Sequence, residues 1–129
     1  MFNEFRVIIS GSRDFEDYEL LKKSCDYYLK NKLLDPNLSI IILSGGTSQG
    51  ADALGEKYAA EHGLKVEKYP ADWNKFGKRA GYLRNNRMAE ASNALIAFRS
   101  AYSDNRGIDI MIDIARKHHL LVREITEEE

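Results

Sequence analysis

Cysteine is nearly absent from this chain, proline is scarce and no apolar stretch is long. Of 129 residues only Cys25 is a cysteine, and only two are prolines. A lone cysteine excludes an internal disulfide and a cysteine cluster for metal, and it fits a reducing compartment. No apolar run approaches the roughly 20 residues that a membrane helix needs, so no membrane partner is expected. The start, MFNEFRVIIS, has no basic n-region and no long apolar stretch; no signal peptide and a cytoplasmic location are therefore expected. The three histidines stand at the ends of helical patterns, where an imidazole suits the dipole, and not in a spaced ligand set. No metal and no cofactor are expected, and no nucleophile–base pair can be picked out.

What is present is ordinary for a globular protein: 43% hydrophobic and 30% charged residues, enough for one core and one domain over residues 1–129. An acidic tail, EITEEE over residues 124–129, is expected to fray. The net charge of −1 conceals an uneven distribution. Residues 1–74 hold 9 basic and 12 acidic side chains (−3), residues 107–129 hold 3 and 6 (−3), and residues 75–106 hold 7 and 2 (+5). Such a surplus either creates a local positive site or decorates a solvated face.

Phe5–Ser10 reads as a short buried strand stopped by Gly11. A helical pattern from Asp17 carries Leu21, Cys25, Tyr28 and Leu29 on one stripe, and Asp35–Pro36–Asn37 breaks it. Leu38–Leu43 is continuously apolar, as a central strand covered on both faces would be. Ala51, Leu54, Tyr58, Ala59 and His62 share a helical stripe that Gly63 ends. Leu64–Tyr69 is a third strand, closed by Pro70. A long polar loop, PADWNKFGKRAG, then leads to a helix near Tyr82–Ser92. Ala94–Phe98, a helix marked by Ile108, Met111, Ile112 and Ala115, and a strand over Leu120–Glu124 complete the chain. The order βαβαβαβαβ predicts an α/β fold, a three-layer Rossmann-like arrangement with a five-stranded, mainly parallel sheet between helices. In such sheets every strand-to-helix loop reaches the same edge, where ligands bind. GSRDF, SGGTSQGAD, ADWNKFGKRAG and FRSAYSDNRG are therefore expected to meet there.

Each loop has chemistry to offer. Gly11 lets an anion approach the backbone, Ser12 brings a hydroxyl and Arg13 a planar fork suited to phosphate, although a plain turn explains the tripeptide as well. Gly45, Gly46, Gly50 and Ala51 stand between a strand and a helix whose first amides carry the positive end of the helix dipole. The stretch is neither the P-loop pattern, GxxxxGK followed by a hydroxyl residue, nor the GxGxxG fingerprint. Asp52, in the first helical turn, suits a capping role or hydrogen bonds to a ribose. Trp73 can stack on a base or anchor its loop. Lys78, Arg84 and Asn85 belong to the basic segment.

Taken together, Gly11-Ser-Arg-Asp-Phe15, Ser44-Gly-Gly-x3-Gly-Ala-Asp52, Ala71-Asp-Trp73, Gly77-Lys78 with Gly81, and Arg84-Asn85 with Met88 resemble the YspA/YpsA-related branch of the SLOG superfamily. The resemblance runs from Phe5 to about Ile125. It implies a Rossmann-like domain that binds nucleotides, nucleotide derivatives or nucleic acid. The LOG members release a base from a nucleoside monophosphate, and the similar DprA domain binds single-stranded DNA. This chain departs from the patterns in three places. Gly107-Ile108 stands where the branch has Gly-Thr, the glycine loop is one residue longer, and the PGGxGTxxE motif of LOG enzymes is missing.

The leading expectation is binding of a nucleotide or nucleotide-derived anion at the sheet's carboxyl edge, with a sensor domain as one form such a binder takes. The ligand set would be Gly11, Ser12, Arg13, Gly45, Gly46, Gly50, Ala51, Asp52, Trp73, Lys78, Arg84, Asn85 and Gly107. The alternatives are cleavage of an N-glycosidic bond, with Asp52 and Asp72 as candidate catalytic carboxylates, and DprA-like binding of nucleic acid. A homodimer through helices flanking the sheet is the expected assembly.

Overall fold

The structure, a computed structural model, describes residues 3–102 and 104–128. Strands and helices alternate as β1 (Asn3–Gly11), α1 (Tyr18–Leu33), β2 (Leu38–Ser44), α2 (Gly50–Glu61) and β3 (Lys65–Lys68). They continue as α3 (Trp73–Phe76), a 3₁₀ turn (Gly77–Arg79), α4 (Ala80–Glu90), β4 (Ala94–Arg99), α5 (Arg106–Lys117) and β5 (Leu121–Thr126). The five strands form one sheet in the order β3-β2-β1-β4-β5, and every pairing is parallel. The chain moves outward from β1 to β3, then returns to the other side of β1. With right-handed crossovers this reversal sends the helices of the two halves to opposite faces.

The strand residues alternate between two cores accordingly. Val7, Ile9, Ile40, Ile42, Ile96 and Phe98 pack with Leu21, Cys25 and Leu29 of α1 and Tyr58 and Ala59 of α2. Ile8, Ile41, Leu43, Leu95 and Ala97 face the other way, against Met88 of α4 and Ile108, Met111, Ile112 and Ala115 of α5. The unbroken IIIL run of β2 follows from this double covering, since neither face is left to water. Each such aliphatic side chain contributes about 1.5–3 kcal/mol on burial. β3, the shorter edge strand, presents Lys65, Glu67 and Lys68, charges that discourage pairing with another chain.

Four details differ from the sequence reading. The polar stretch before α4 is partly helical, because the Asp72 carboxylate accepts from the Lys75 N–H at 3.0 Å and caps α3. α4 consequently begins at Ala80, ahead of Tyr82. Tyr28 leaves the α1 stripe and is exposed, its ring 5.6 Å from the Arg123 guanidinium. Glu124–Thr126 belong to β5 and not to a frayed tail; Glu124 accepts from both Arg99 and Arg116. Glu129 lies outside the described residues. Among the described residues no helix is long and apolar enough to cross a membrane, and no metal-holding cluster is found.

Candidate functional site

At the carboxyl edge three loops are fastened to one another. Gly11 ends β1 so close to β4 that a Cβ there would lie 2.2 Å from the Phe98 carbonyl oxygen. The Ser12 hydroxyl donates to Asn105 Oδ1 at 2.5 Å and accepts from the Ser100 N–H at 3.3 Å, while Asn105 Nδ2 donates to the Ser100 carbonyl. This ties the β1–α1 loop to the β4–α5 loop, at the point where the strand order reverses. On the other side, Gly50 adopts φ +73°, and a Cβ would stand 2.6 Å from backbone atoms of Ser12 and Arg13. Only glycine combines that conformation with that proximity. The Ala51 N–H donates to the Ser12 carbonyl at 3.4 Å.

Those fastenings change the role of the glycine loop. The Ala51 amide is engaged by Ser12, and the Gly46 N–H donates to Ser44 Oγ at 3.0 Å. Neither is therefore free to hold a phosphate, as the sequence suggested. Gly46 has φ +79° with open space around it, so its glycine answers to backbone conformation and not to a close approach. Gly45 is the reverse case. It is buried, and a Cβ there would lie 2.8 Å from Arg84 Nη1 and 2.9 Å from Asp52 Oδ2.

Arg84, half-buried on α4, donates from Nη1 to the Gly45 carbonyl at 2.8 Å and from Nε to Asn85 Oδ1 at 2.9 Å. Burial and the Arg13 charge hold its pKa below the ordinary guanidinium value, against the pull of Asp52. Asp52 is buried at the third position of α2, and its Oδ2 accepts from the Thr47 N–H at 3.3 Å, a contact that ties down the loop ahead of the helix. Burial pushes its carboxyl above the usual range, opposed by the bonds from Thr47 and the charge of Arg84. A desolvated carboxyl and a desolvated guanidinium thus share one wall, a pattern common at functional sites.

The wall belongs to an open cleft of about 610 Å³. Gly11, Ser12, Arg13, Asp52, Lys78, Arg84, Asn85 and Gly107 of the expected set all line it. Gly45, Gly46, Gly50 and Ala51 do not; Gly45 lies behind Arg84 and Asp52, Gly50 and Ala51 pack on the Ser12 backbone, and Gly46 is exposed. Trp73 is 55% exposed and lies outside the lining, with its ring 3.4 Å from where a Gly81 Cβ would be. Asp72 is also outside it, engaged as the α3 cap. The sequence reading missed Asp14, Thr47, Gln49, Tyr82, Asp104, Ile110 and Met111, which line the cleft, and Asn105, which shapes it. Most sit in loops already assigned to this edge, but Tyr82 and Ile110 looked like ordinary helix-surface residues.

The basic segment contributes less charge than its composition suggests. Arg99 pairs with Asp109 and Glu124, and Arg106 with Asp104. Arg13, Lys78 and Arg84 form no ion pair within 4.0 Å among the described residues, and all three line the cleft.

A parallel sheet whose strand order reverses beside a cleft defines a Rossmann-like domain. The family follows from comparison: residues 5–76 match the YspA, cpYpsA-related SLOG family, and the chain belongs to it. It is also 32% identical over 99 residues to the Gene 61 protein of Mycobacterium phage D29, covering 72% of this chain and 75% of the phage protein. No solved structure gives a significant match. Membership in this family points to a nucleotide-related ligand or activity.

Proposed function

We propose that the cleft binds a nucleotide or nucleotide-derived anion. The observation that carries this reading is the set Arg13, Lys78 and Arg84, three cations on one cleft at the carboxyl edge that form no ion pair among the described residues. An anion supplies the missing charge and hydrogen-bond acceptors, and Arg13 is exposed enough to turn its fork toward it. The amide N–H groups of Gly107 and Ile108, at the start of α5, have no partner inside their helix and lie on the same lining. Family membership supports a nucleotide as the source of the anion. Titration calorimetry with a panel of nucleoside mono-, di- and triphosphates tests it. Heat saturating with at least one member is expected, and no heat from any member at millimolar concentration overturns it.

A second reading has its own observation. Asp52 is buried on the cleft wall, where its ionised carboxylate would stabilise positive charge developing on a ribose. Incubation with nucleoside monophosphates followed by chromatography for free base decides between binding and cleavage. Release that Asp52→Asn abolishes supports cleavage; release that the substitution leaves unchanged removes Asp52 from any catalytic role.

A further inference from the structure

The cleft is not polar all round. α4 contributes Lys78, Gly81, Tyr82 and Asn85 from the stripe that begins in the preceding turn, and α5 contributes Gly107, Ile108, Ile110 and Met111. Ile110 is the isoleucine of α5 that the core leaves out. Ile108, Ile112 and Ile114 are buried to 4% exposure or less, whereas Ile110 is 49% exposed. Tyr82 is the matching exception on α4, 53% exposed beside the buried Ala80, Met88 and Ala89. Both exceptions line the same cleft, and Gly81 between Lys78 and Tyr82 adds no side chain to fill it. Met111 supplies a soft, polarisable floor. Arg13, Asp14, Thr47, Gln49 and Asp52 come from the first two loops and the start of α2, while Lys78, Arg84, Asn85 and Asp104 set polar groups beside Tyr82 and Ile110.

A cleft that is polar at its first two loops and adds apolar side chains among the polar ones of α4 and α5 matches a ligand with a charged part and a planar apolar part. We infer that Tyr82, Ile110 and Met111 form a subsite for the planar base of a nucleotide, whose phosphate lies toward Arg13, Lys78 and Arg84. The inference rests on the proposed anion site and adds to it the part of the ligand that determines selectivity. Tyr82 provides an aromatic face for the base to lie against, and Ile110 covers the ring from α5. Stacking of a base on a protein aromatic strengthens binding by about tenfold or somewhat more. A charged or purely aliphatic occupant gains nothing comparable from this wall.

The test compares AMP, GMP, ribose 5-phosphate and adenosine by calorimetry on the parent protein, Tyr82→Ala and Ile110→Ser. Both side chains are about half exposed, so both variants are expected to keep the parent's melting curve and circular dichroism. The expected result is that at least one nucleotide binds about tenfold more tightly than ribose 5-phosphate. Each variant should erase most of that advantage while leaving ribose 5-phosphate affinity in place. Equal affinity of AMP, GMP and ribose 5-phosphate for the parent overturns the base subsite while leaving the anion site standing. So does equal loss for nucleotide and sugar phosphate in the variants. Binding of adenosine, weakened in the variants, with none of ribose 5-phosphate, would keep the subsite and remove the anion reading. Silence from all four ligands would overturn both.

Discussion

Arg84 lies midway along α4 and Arg6, on β1, reaches the end of the same helix, and their surroundings could hardly differ more. Arg6, on β1, donates from Nε to the Ala91 carbonyl, just past the helix C-terminus, and forms a two-pronged ion pair with Glu67 of β3. The bond to Glu67 raises its pKa, and the same bond lowers that of Glu67. Arg84 meets the carbonyls of Gly45 and Tyr69 and the Asn85 amide side chain, with no carboxylate within ion-pair distance among the described residues and a pKa depressed by burial. The first arginine completes the fold: charge and hydrogen bonds are satisfied within it. The second is held in place by neutral groups, with Asp52 nearby but forming no direct ion pair. On the reading proposed above, that guanidinium serves a ligand at the carboxyl edge.

The comparison breaks most directly at Arg6. Arg6→Met should leave Glu67 and the Ala91 carbonyl without their donor and cost about 2–3 kcal/mol of stability in urea denaturation, the pair being partly exposed. Nucleotide affinity of the folded fraction should not change. Arg84→Met should invert that pattern, with stability changed by less than about 1 kcal/mol and binding weakened by about 1.5–3 kcal/mol. Should Arg84→Met unfold the protein while Arg6→Met is tolerated, the two roles have been assigned the wrong way round.

Gly45→Ala sharpens the same contrast. Its Cβ would displace the tips of Arg84 and Asp52 without touching a rigid core, so affinity is expected to fall by about tenfold with only a small loss in melting temperature. At Gly46 there is room for a side chain but φ is +79°, so Gly46→Ala should cost about 1 kcal/mol of stability and leave Arg84 where it is. Equal loss of affinity in both variants, measured with AMP, would show that the loop acts through its backbone and not through Arg84.

The smallest effect expected is at Asp52. Burial raises its carboxyl above the ordinary 3.8, so the folded protein holds that proton more tightly than the unfolded chain does. The ionised form therefore costs stability that is absent below the ordinary value and grows as pH rises through the folded one. An asparagine has no charge to bury and can still accept from Thr47. The melting temperature of Asp52→Asn relative to the parent should accordingly be higher near pH 7 than near pH 4, by an amount worth less than about 1 kcal/mol. The opposite trend would mean that Arg84 and Thr47 outweigh burial.

The amino-acid sequence alone determined the alternation of strands and helices, the parallel sheet and the edge at which the glycine-bearing loops gather. These follow from local properties: apolar runs of strand length, helical stripes such as Ala51–Tyr58–Ala59, and glycines at strand ends. Arg13, Lys78 and Arg84 also stood out in the sequence, and the structure brings all three to the lining of one cleft. Tertiary structure alone decided which groups in those loops remain available. Ser12 proved to be engaged by Asn105, 93 positions away, and Ala51 by Ser12, whereas the Asp72 cap on the Lys75 N–H is a local contact. Nor could periodicity show that Ile110 and Tyr82 face a common cleft, since each lies on the rim of its own helix stripe. That depends on how α4 and α5 pack against the sheet, and hydrogen bonds and burial are satisfied in space and not along the chain.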